Sequence, residues 1–494
     1  MNRQIRRLAL GLIACYAILF LQLNVWQVAR SDELKDDSRN NRELLRDFNS
    51  PRGRIITADD VVVAETIERD LDGNVVRQRT YPERDLFANV TGYFTLGFGS
   101  SQLERSENDV LAGRTAEQQL QLAQNLFADQ DVSGDVILAM REDIQSAAKE
   151  ALGDREGSVV VLDVRTGAVL AMWSWPTFDP NILSDRTRTD TLDWFNFLNA
   201  DNRKPLLANA YQERYMPGST FKVITTATAL RDSLIDLTTV WEDESAFTPP
   251  QTTDPIENYG GSTCGGDLTE VFTRSCNIPF ARIALTLGAK KLVGATDDWG
   301  FGENIPLDLP RSVASVFGKV NDFEDDLPML AIQGFGQGNA QMVPLHMAMV
   351  AATIANGGKM MVPYVVSSTV DRNGKVLTST SPTVWRTPID AETAVILTEL
   401  MIGVVRNGTA SCCMQLANGV QAAAKTGTAQ LNAKGEPMRS HAWITAFAPA
   451  NAPKVAIAVM VKGVNDEVSA STGGRLAGPI AKRVLDVALK VLGT

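Results

Sequence analysis

Histidine is nearly missing from this chain: His346 and His441 are the only two among 494 residues. That excludes a multi-histidine metal centre. A Ser-His-Asp triad would have to use one of the pair, so a hydrolase or transferase built on this sequence needs another base. Both histidines have plainer readings, His346 as a satisfied core residue and His441 as a solvent-facing one. Cysteine is scarce too, with Cys15, Cys264, Cys276, Cys412 and Cys413 and no CxxC or CxxCH spacing, which removes metal and haem readings. This usage fits an exported protein that does not depend on disulfides; a pair among Cys264, Cys412 and Cys413 is left open by the sequence, whereas Cys276 is expected to point into the core. Positive charge falls short of negative, 47 Lys and Arg against 58 Asp and Glu, a net charge of −11. A basic nucleic-acid-binding face is therefore not expected. Internal repeats and long low-complexity segments are absent as well.

What is present begins with an apolar run, Leu8–Leu21, that continues to Val28 interrupted only by Gln22, Asn24 and Gln27. It is long enough to cross ~30 Å of hydrocarbon as a helix. Arg3, Arg6 and Arg7 precede it and Asp32, Glu33, Asp36 and Asp37 follow. The pattern predicts an uncleaved single-pass anchor in the cell membrane, N-terminus cytoplasmic and the rest outside. The chain then divides into an anchor (1–30), a polar, turn-rich pedestal (31–154) and a large domain (155–494). Within the last, Ser158–Asp163 and Ala168–Trp173 read as a hairpin. Gln421–Thr428, Ala442–Phe447 and Lys454–Lys462 read as three strands, closed by a helix over Leu476–Leu492. Two early strands, helices in the middle and three late strands predict an α+β fold: one antiparallel sheet assembled from both ends around an all-helical insert.

Three short motifs carry chemistry. Ser219-Thr220-Phe221-Lys222 stands at the mouth of a predicted helix, and the i, i+3 spacing puts serine and lysine within reach of each other. A lysine whose pKa is lowered by burial or a neighbouring cation can activate that serine without histidine. Ser275-Cys276-Asn277 offers a hydroxyl for proton relay and an amide for substrate. Lys425-Thr426-Gly427-Thr428 lies in a predicted strand, where lysine and threonine hydroxyls would meet a carboxylate and glycine lets backbone approach a ligand. Singly, each has a bland reading as a cap, a surface lysine or an edge strand.

In this order the three resemble the motif set of penicillin-binding proteins and serine β-lactamases. The resemblance extends over nearly the whole chain. Pro51-Arg52-Gly53-Arg54-Ile55-Ile56, Arg79-Thr80-Tyr81-Pro82, Thr91-Gly92-Tyr93 and Leu103-Glu104 are similar to the pedestal of class B penicillin-binding proteins. Asp163–Asn181, Gly336-Gln337-Gly338 and His441-Ala442-Trp443 resemble transpeptidase-domain blocks. Glu257–Gly261 gives the chain the texture of the actinobacterial A-type subfamily. Asp59-Asp60 departs from the usual residue-glycine turn of the pedestal.

The resemblance implies a five-stranded antiparallel sheet with helices on both faces, and a peptidoglycan D,D-transpeptidase active in wall elongation and cell shape. It assigns Ser219 as nucleophile, Lys222 as neutral base, cationic Lys425 as its neighbour, and Ser275 and Asn277 as relay and substrate holder. Thr426, Gly427 and Thr428 would bind substrate, and the N–H groups of Ser219 and Thr428 would form the oxyanion hole. Implied partners are stem peptides of nascent strands, β-lactam antibiotics and a RodA-type membrane glycosyltransferase docked on the anchor and the face around Arg52–Ile56. No metal or organic cofactor is implied. A D,D-carboxypeptidase, which lets water take the acyl group, is the enzymatic alternative; a membrane-anchored sensor or scaffold is the non-enzymatic one. Residues 31–154 are too few for a second catalytic domain of ordinary size.

Overall fold

A computed structural model describes residues 2–26, 50–71, 74–124, 131–432 and 439–493. The apolar run forms one helix, Asn2–Asn24, and Arg3–Asn24 is long and apolar enough to cross a membrane. The acidic flank Asp32–Asp37 falls outside the described residues.

The larger sheet has five antiparallel strands in the spatial order Ala423–Gln430, Ser440–Ala448, Val455–Val461, Gly157–Asp163, Val169–Trp175. The late strands thus complete the sheet that the early hairpin starts, as the element order predicts. Val455–Val461 is buried at every residue, and Gly157–Asp163 at all but its last. Such unbroken apolar runs arise because both faces are covered. Helix Pro344–Ala355 packs on one face; the C-terminal helix Gly473–Val491 and helix Glu142–Leu152 pack on the other. The middle of the chain departs from the expected all-helical insert. Alongside helices Ile278–Asp298, Leu327–Gln333 and Ala391–Arg406 it carries three two-stranded sheets, among them Val240–Glu244 paired with Cys264–Asp267. These strands are short, and Val240–Glu244 is largely exposed, so they lack the hydrophobic alternation that makes a strand legible.

The pedestal is built on a six-stranded sheet that crosses the expected boundary. Its order is Val376–Ser379, Val366–Val370, Asp135–Leu138, Ile55–Ile56, Val62–Leu71, Asn74–Thr80, so a hairpin from far down the chain supplies two strands. Helix Glu142–Leu152, on the pedestal side of residue 154, packs on the catalytic sheet. Asp59 ties the two parts together: its carboxylate accepts from the Glu142 N–H at 2.9 Å, and burial notwithstanding, such backbone donors hold its pKa below the ordinary value. The departure at Asp59-Asp60 therefore caps a helix start.

The pedestal motifs converge on one buried ionic cluster. Arg52 Nε and Arg79 Nε donate to the two oxygens of Glu104, each at 2.7 Å. Arg52 also donates to Asn108 Oδ1 and to the Glu104 carbonyl, Arg79 to the Gly53 carbonyl, and the Tyr81 hydroxyl to Glu104. Arg52, Gly53 and Ile55 are buried. Arg52, Gly53 and Ile55 thus help hold the pedestal together from inside, and Arg54, the exposed member, pairs with Asp135 at 2.6 Å.

Candidate active site

The SxxK motif opens on a 3-10 turn, Gly218–Phe221, which runs into helix Lys222–Arg231. Ser219 is half-buried and faces a cleft of about 830 Å³. The turn lies against the KTG strand so tightly that a Cβ at Gly427 would stand 2.7 Å from the Pro217 carbonyl and 3.0 Å from Thr220. Glycine is required there for close approach. Similarly, a Cβ at Gly473 would meet the Gly427 and Trp443 carbonyls at 2.2 Å, so the first turn of the C-terminal helix can seat against the same strand.

Lys222 and Lys425 are both fully buried. Lys222 Nζ donates to the Ser275 carbonyl at 2.7 Å, to Asn277 Oδ1 at 2.9 Å and to Ser275 Oγ at 3.3 Å. Lys425 Nζ donates to Ser275 Oγ at 2.8 Å and to the Thr426 carbonyl at 3.1 Å. Ser275 thus bridges the two amines. Its φ of 60° lies in the left-handed region, a strained conformation for serine in which the side chain meets both lysines and the carbonyl meets Lys222. Rings of Phe280 and Phe335 flank Lys222, and Phe272 flanks Lys425. Burial, and then the charge of Lys425, push the Lys222 amine well below the ordinary lysine range. Burial alone brings Lys425 down to about 7.

The remaining predicted residues also meet here. Thr426 and Thr428 line the cleft with Ser219, Ser275 and Asn277. Thr428 Oγ1 accepts from the Gly473 N–H at 3.2 Å, and its carbonyl accepts from Gln337 Nε2 at 3.3 Å. Arg274, Arg439 and Arg475 line the same cleft, supplying local positive charge against the net −11 of the chain. Arg439 is paired with Asp466.

Some supports were not singled out from the sequence. The buried Asn258 accepts from the Asn277 N–H at 2.8 Å and donates to the Glu244 and Ser262 carbonyls; it sits in the Glu257–Gly261 segment, quoted only for its texture. Cys264 pairs with Cys276, and Cys412 with its neighbour Cys413. Of the pairs open among Cys264, Cys412 and Cys413, the one formed is Cys412–Cys413; Cys276 is buried as expected, and its bond to Cys264 is the pairing the sequence did not suggest. Cys264 lies on the strand paired with Val240–Glu244, which is what brings it to the SxN loop. His441 is also corrected: it is 7% exposed, packs edge-on against Tyr215 and accepts from the Gly463 N–H. Burial, with Lys462 adding, lowers it to about 4, so it stays neutral. His346 is the satisfied core residue expected, between Ser315 Oγ and the Trp299 carbonyl. Tyr259 is exposed and lines the cleft.

Comparison with known proteins agrees with this geometry. Residues 157–486 match the penicillin binding protein transpeptidase domain, and residues 52–137 the penicillin binding protein A dimerisation domain. The peptidoglycan D,D-transpeptidase PbpA of Mycolicibacterium smegmatis is 36% identical over 99% of both chains, and that of Mycobacterium tuberculosis is equally similar over the same share. Among solved structures, the ceftriaxone acyl-enzyme complex of M. tuberculosis penicillin-binding protein A superposes with a TM-score of 0.83 at 33% identity, covering 90% of this chain and all of that one. Its penicillin G acyl-enzyme complex gives 0.81 at 33% identity over 89% of this chain and all of that one. With a serine, two buried lysines and a KTG strand at one cleft, and a match over most of its length, this chain belongs to the penicillin-binding protein transpeptidase family.

Proposed function

We propose that the chain is a peptidoglycan D,D-transpeptidase that also takes up β-lactams covalently on Ser219. The observation that carries this reading is the pair of buried lysines joined through Ser275 beside a serine at the mouth of a cleft. Ser219 Oγ attacks the carbonyl between the two terminal D-alanines of a stem peptide while neutral Lys222 takes its proton. The N–H groups of Ser219 and Thr428 hold the developing oxyanion. The C–N bond breaks, Ser275 passes a proton to the leaving amine, and D-alanine departs. An amine of a neighbouring strand then attacks the acyl ester, forms the cross-link and frees Ser219. Lys425, Thr426 and Thr428 hold the donor's terminal carboxylate, Gly427 leaves room for it, and Asn277 orients Lys222 and the substrate amide. No step calls on a metal or organic cofactor.

The enzyme is anchored by helix Asn2–Asn24, with the N-terminus cytoplasmic and the cleft outside, as the flanking charges require. Residues 1–30 act as anchor, 31–154 chiefly as pedestal and 155–494 as the catalytic domain, serving wall elongation. The anchor helix is the docking element for a RodA-type glycosyltransferase that supplies nascent strands.

The test offers a D-Ala-D-Ala stem peptide with and without an amine acceptor. Cross-linked product together with released D-alanine is expected; hydrolysis alone, whatever the acceptor concentration, would make the enzyme a carboxypeptidase.

A further inference from the structure

Helix Ala391–Arg406 ends at an irregular turn, Gly408–Met414, that none of the motifs includes. Its own backbone holds it: the Ala410 N–H donates to the Val404 carbonyl, and those of Cys413 and Met414 to the Ala410 carbonyl. The Cys412–Cys413 disulfide closes it. This turn touches three segments of the cleft at once. A Cβ at Gly408 would stand 2.5 Å from the carbonyl of Thr273, two positions before Ser275. A Cβ at Gly474, in the first turn of the C-terminal helix, would stand 2.1 Å from the carbonyl of Thr409. Between them, Thr409 Oγ1 lies 2.5 Å from Thr426 Oγ1 on the KTG strand.

A hydroxyl has one proton and two lone pairs. If Thr426 donates to Thr409, it can offer an incoming carboxylate only lone pairs, which repel it. If Thr409 donates, the Thr426 proton is left to point into the cleft. Burial decides between them. Thr426 is 6% exposed and has few routes to satisfy an acceptor, whereas Thr409 is exposed and its lone pairs can be solvated. The lower-cost arrangement runs Thr409 to Thr426 to ligand, and a hydrogen bond to a charged acceptor at the end of such a chain strengthens the ones before it.

The geometry points to Thr409 as a positioning residue: by donating to Thr426 it turns that hydroxyl outward as a donor, and so makes the cleft selective for donor peptides that end in a free carboxylate. This rests on the transpeptidase reading above, in particular on Thr426 meeting the donor's carboxylate. The Gly408–Met414 turn, seated against both the SxN segment and the C-terminal helix, fixes where Thr409 stands.

The test uses the full chain and two thioester donors, one ending in D-alanyl-thioglycolate with its free carboxylate and the other its methyl ester, and reads the ratio of their kcat/KM values. Thr409→Val is expected to lose about tenfold on the acid, mostly in KM, and less than about twofold on the ester, the size expected for one charge-assisted hydrogen bond. Thr409→Ser keeps the hydroxyl and is expected to restore the ratio. Thr409→Ala serves the same comparison if valine disturbs the turn, and the ester rate reports folding in every variant. Adding Thr409→Val to Thr426→Val should cost nothing further, because both act through one contact. Equal losses on both donors, or an unchanged ratio in Thr409→Val while Thr426→Val lowers it, would overturn the role of Thr409 alone. An unchanged ratio in Thr426→Val would overturn the carboxylate reading of the KTG strand and the role of Thr409 with it.

Discussion

The pedestal and the catalytic cleft each bury two cations, Arg52 and Arg79 in one and Lys222 and Lys425 in the other. In the pedestal a carboxylate lies between them. Burial alone would raise the Glu104 carboxyl, but Arg79 and Arg52 outweigh it and hold the group below its ordinary value. In the cleft the element between the cations is a serine, Ser275, and the amines donate to neutral acceptors: its hydroxyl and carbonyl and the Asn277 amide. Both amines are consequently driven toward the neutral form. Guanidinium, which keeps its charge at any working pH, is placed where charge must stay. Ammonium, whose pKa moves readily on burial, is placed where a proton must be taken and returned. A buried cation with its counterion is architecture; one without it is a base.

Removing Lys222 should have the largest effect. Lys222→Ala is expected to slow acylation by fluorescent penicillin at least about 10³-fold, within the range of a positioned general base, with the unfolding midpoint little changed. Stopped-flow or gel-based labelling measures it, and near-normal acylation would place the base elsewhere.

The pedestal counterpart is Glu104→Ala, which strands two buried guanidinium groups. It should cost about 3–5 kcal/mol of stability, as breaking a buried ion pair does, and leave the acylation rate of folded protein within about twofold, since the sites are independent. Denaturant unfolding beside penicillin labelling tests this; loss of acylation without loss of stability would reverse the contrast.

The two clusters should both gain stability as pH rises, but in different windows. Folding lowers the pKa of Glu104, so its contribution is present above the unfolded value and is lost as pH falls through the folded one. Folding lowers both lysines too, so the folded cleft binds fewer protons than the unfolded chain, and stability rises with pH from about 7 toward the ordinary lysine value of 10.5. Carboxylate capture needs Lys425 protonated. The second-order acylation constant should therefore decline above pH about 7, and Lys425→Arg, always charged, should remove that alkaline limb. A limb that survives the substitution would exclude Lys425 as its source.

The smallest effect belongs to the Cys264–Cys276 disulfide, which ties the SxN loop to a neighbouring strand. Reducing it, with Cys15 replaced by serine to avoid side reactions, should slow acylation a few-fold by loosening Ser275 and Asn277, about what partial misplacement of supporting groups costs. Mass spectrometry of alkylated cysteines identifies the reduced pair, and an unchanged rate would make the disulfide purely structural.

The contrast between the clusters also explains what could be read from the chain. Ser219, Lys222, Ser275, Asn277 and Lys425 could be singled out because the three motifs that hold them, in that order, resemble a known family's motif set; singly each has a bland reading. The central sheet was legible because its strands are continuous apolar runs at the two ends of the chain. Thr409 and Asn258 act through one hydroxyl and one amide, with no spacing rule attached, and only the folded chain brings them to Thr426 and Asn277. The partner of Cys276 depended on a short exposed strand that carries no periodic signal. His441 was misjudged because a polar residue at a strand start usually faces solvent, whereas here Tyr215 covers it. The Arg52–Glu104–Arg79 cluster had all its members in view as separate motifs, but their meeting point is set by a sheet that includes Val366–Ser379, far along the chain.

The central claim is that the uncompensated lysines serve Ser219 as the acylated nucleophile. Intact mass spectrometry of the protein after penicillin, with peptide mapping of the adduct, tests it most directly. The expected result is one penicilloyl group on the peptide containing Ser219, and none on a Ser219→Ala protein that unfolds at the same midpoint. An adduct on another residue, or one that persists in folded Ser219→Ala protein, would contradict it.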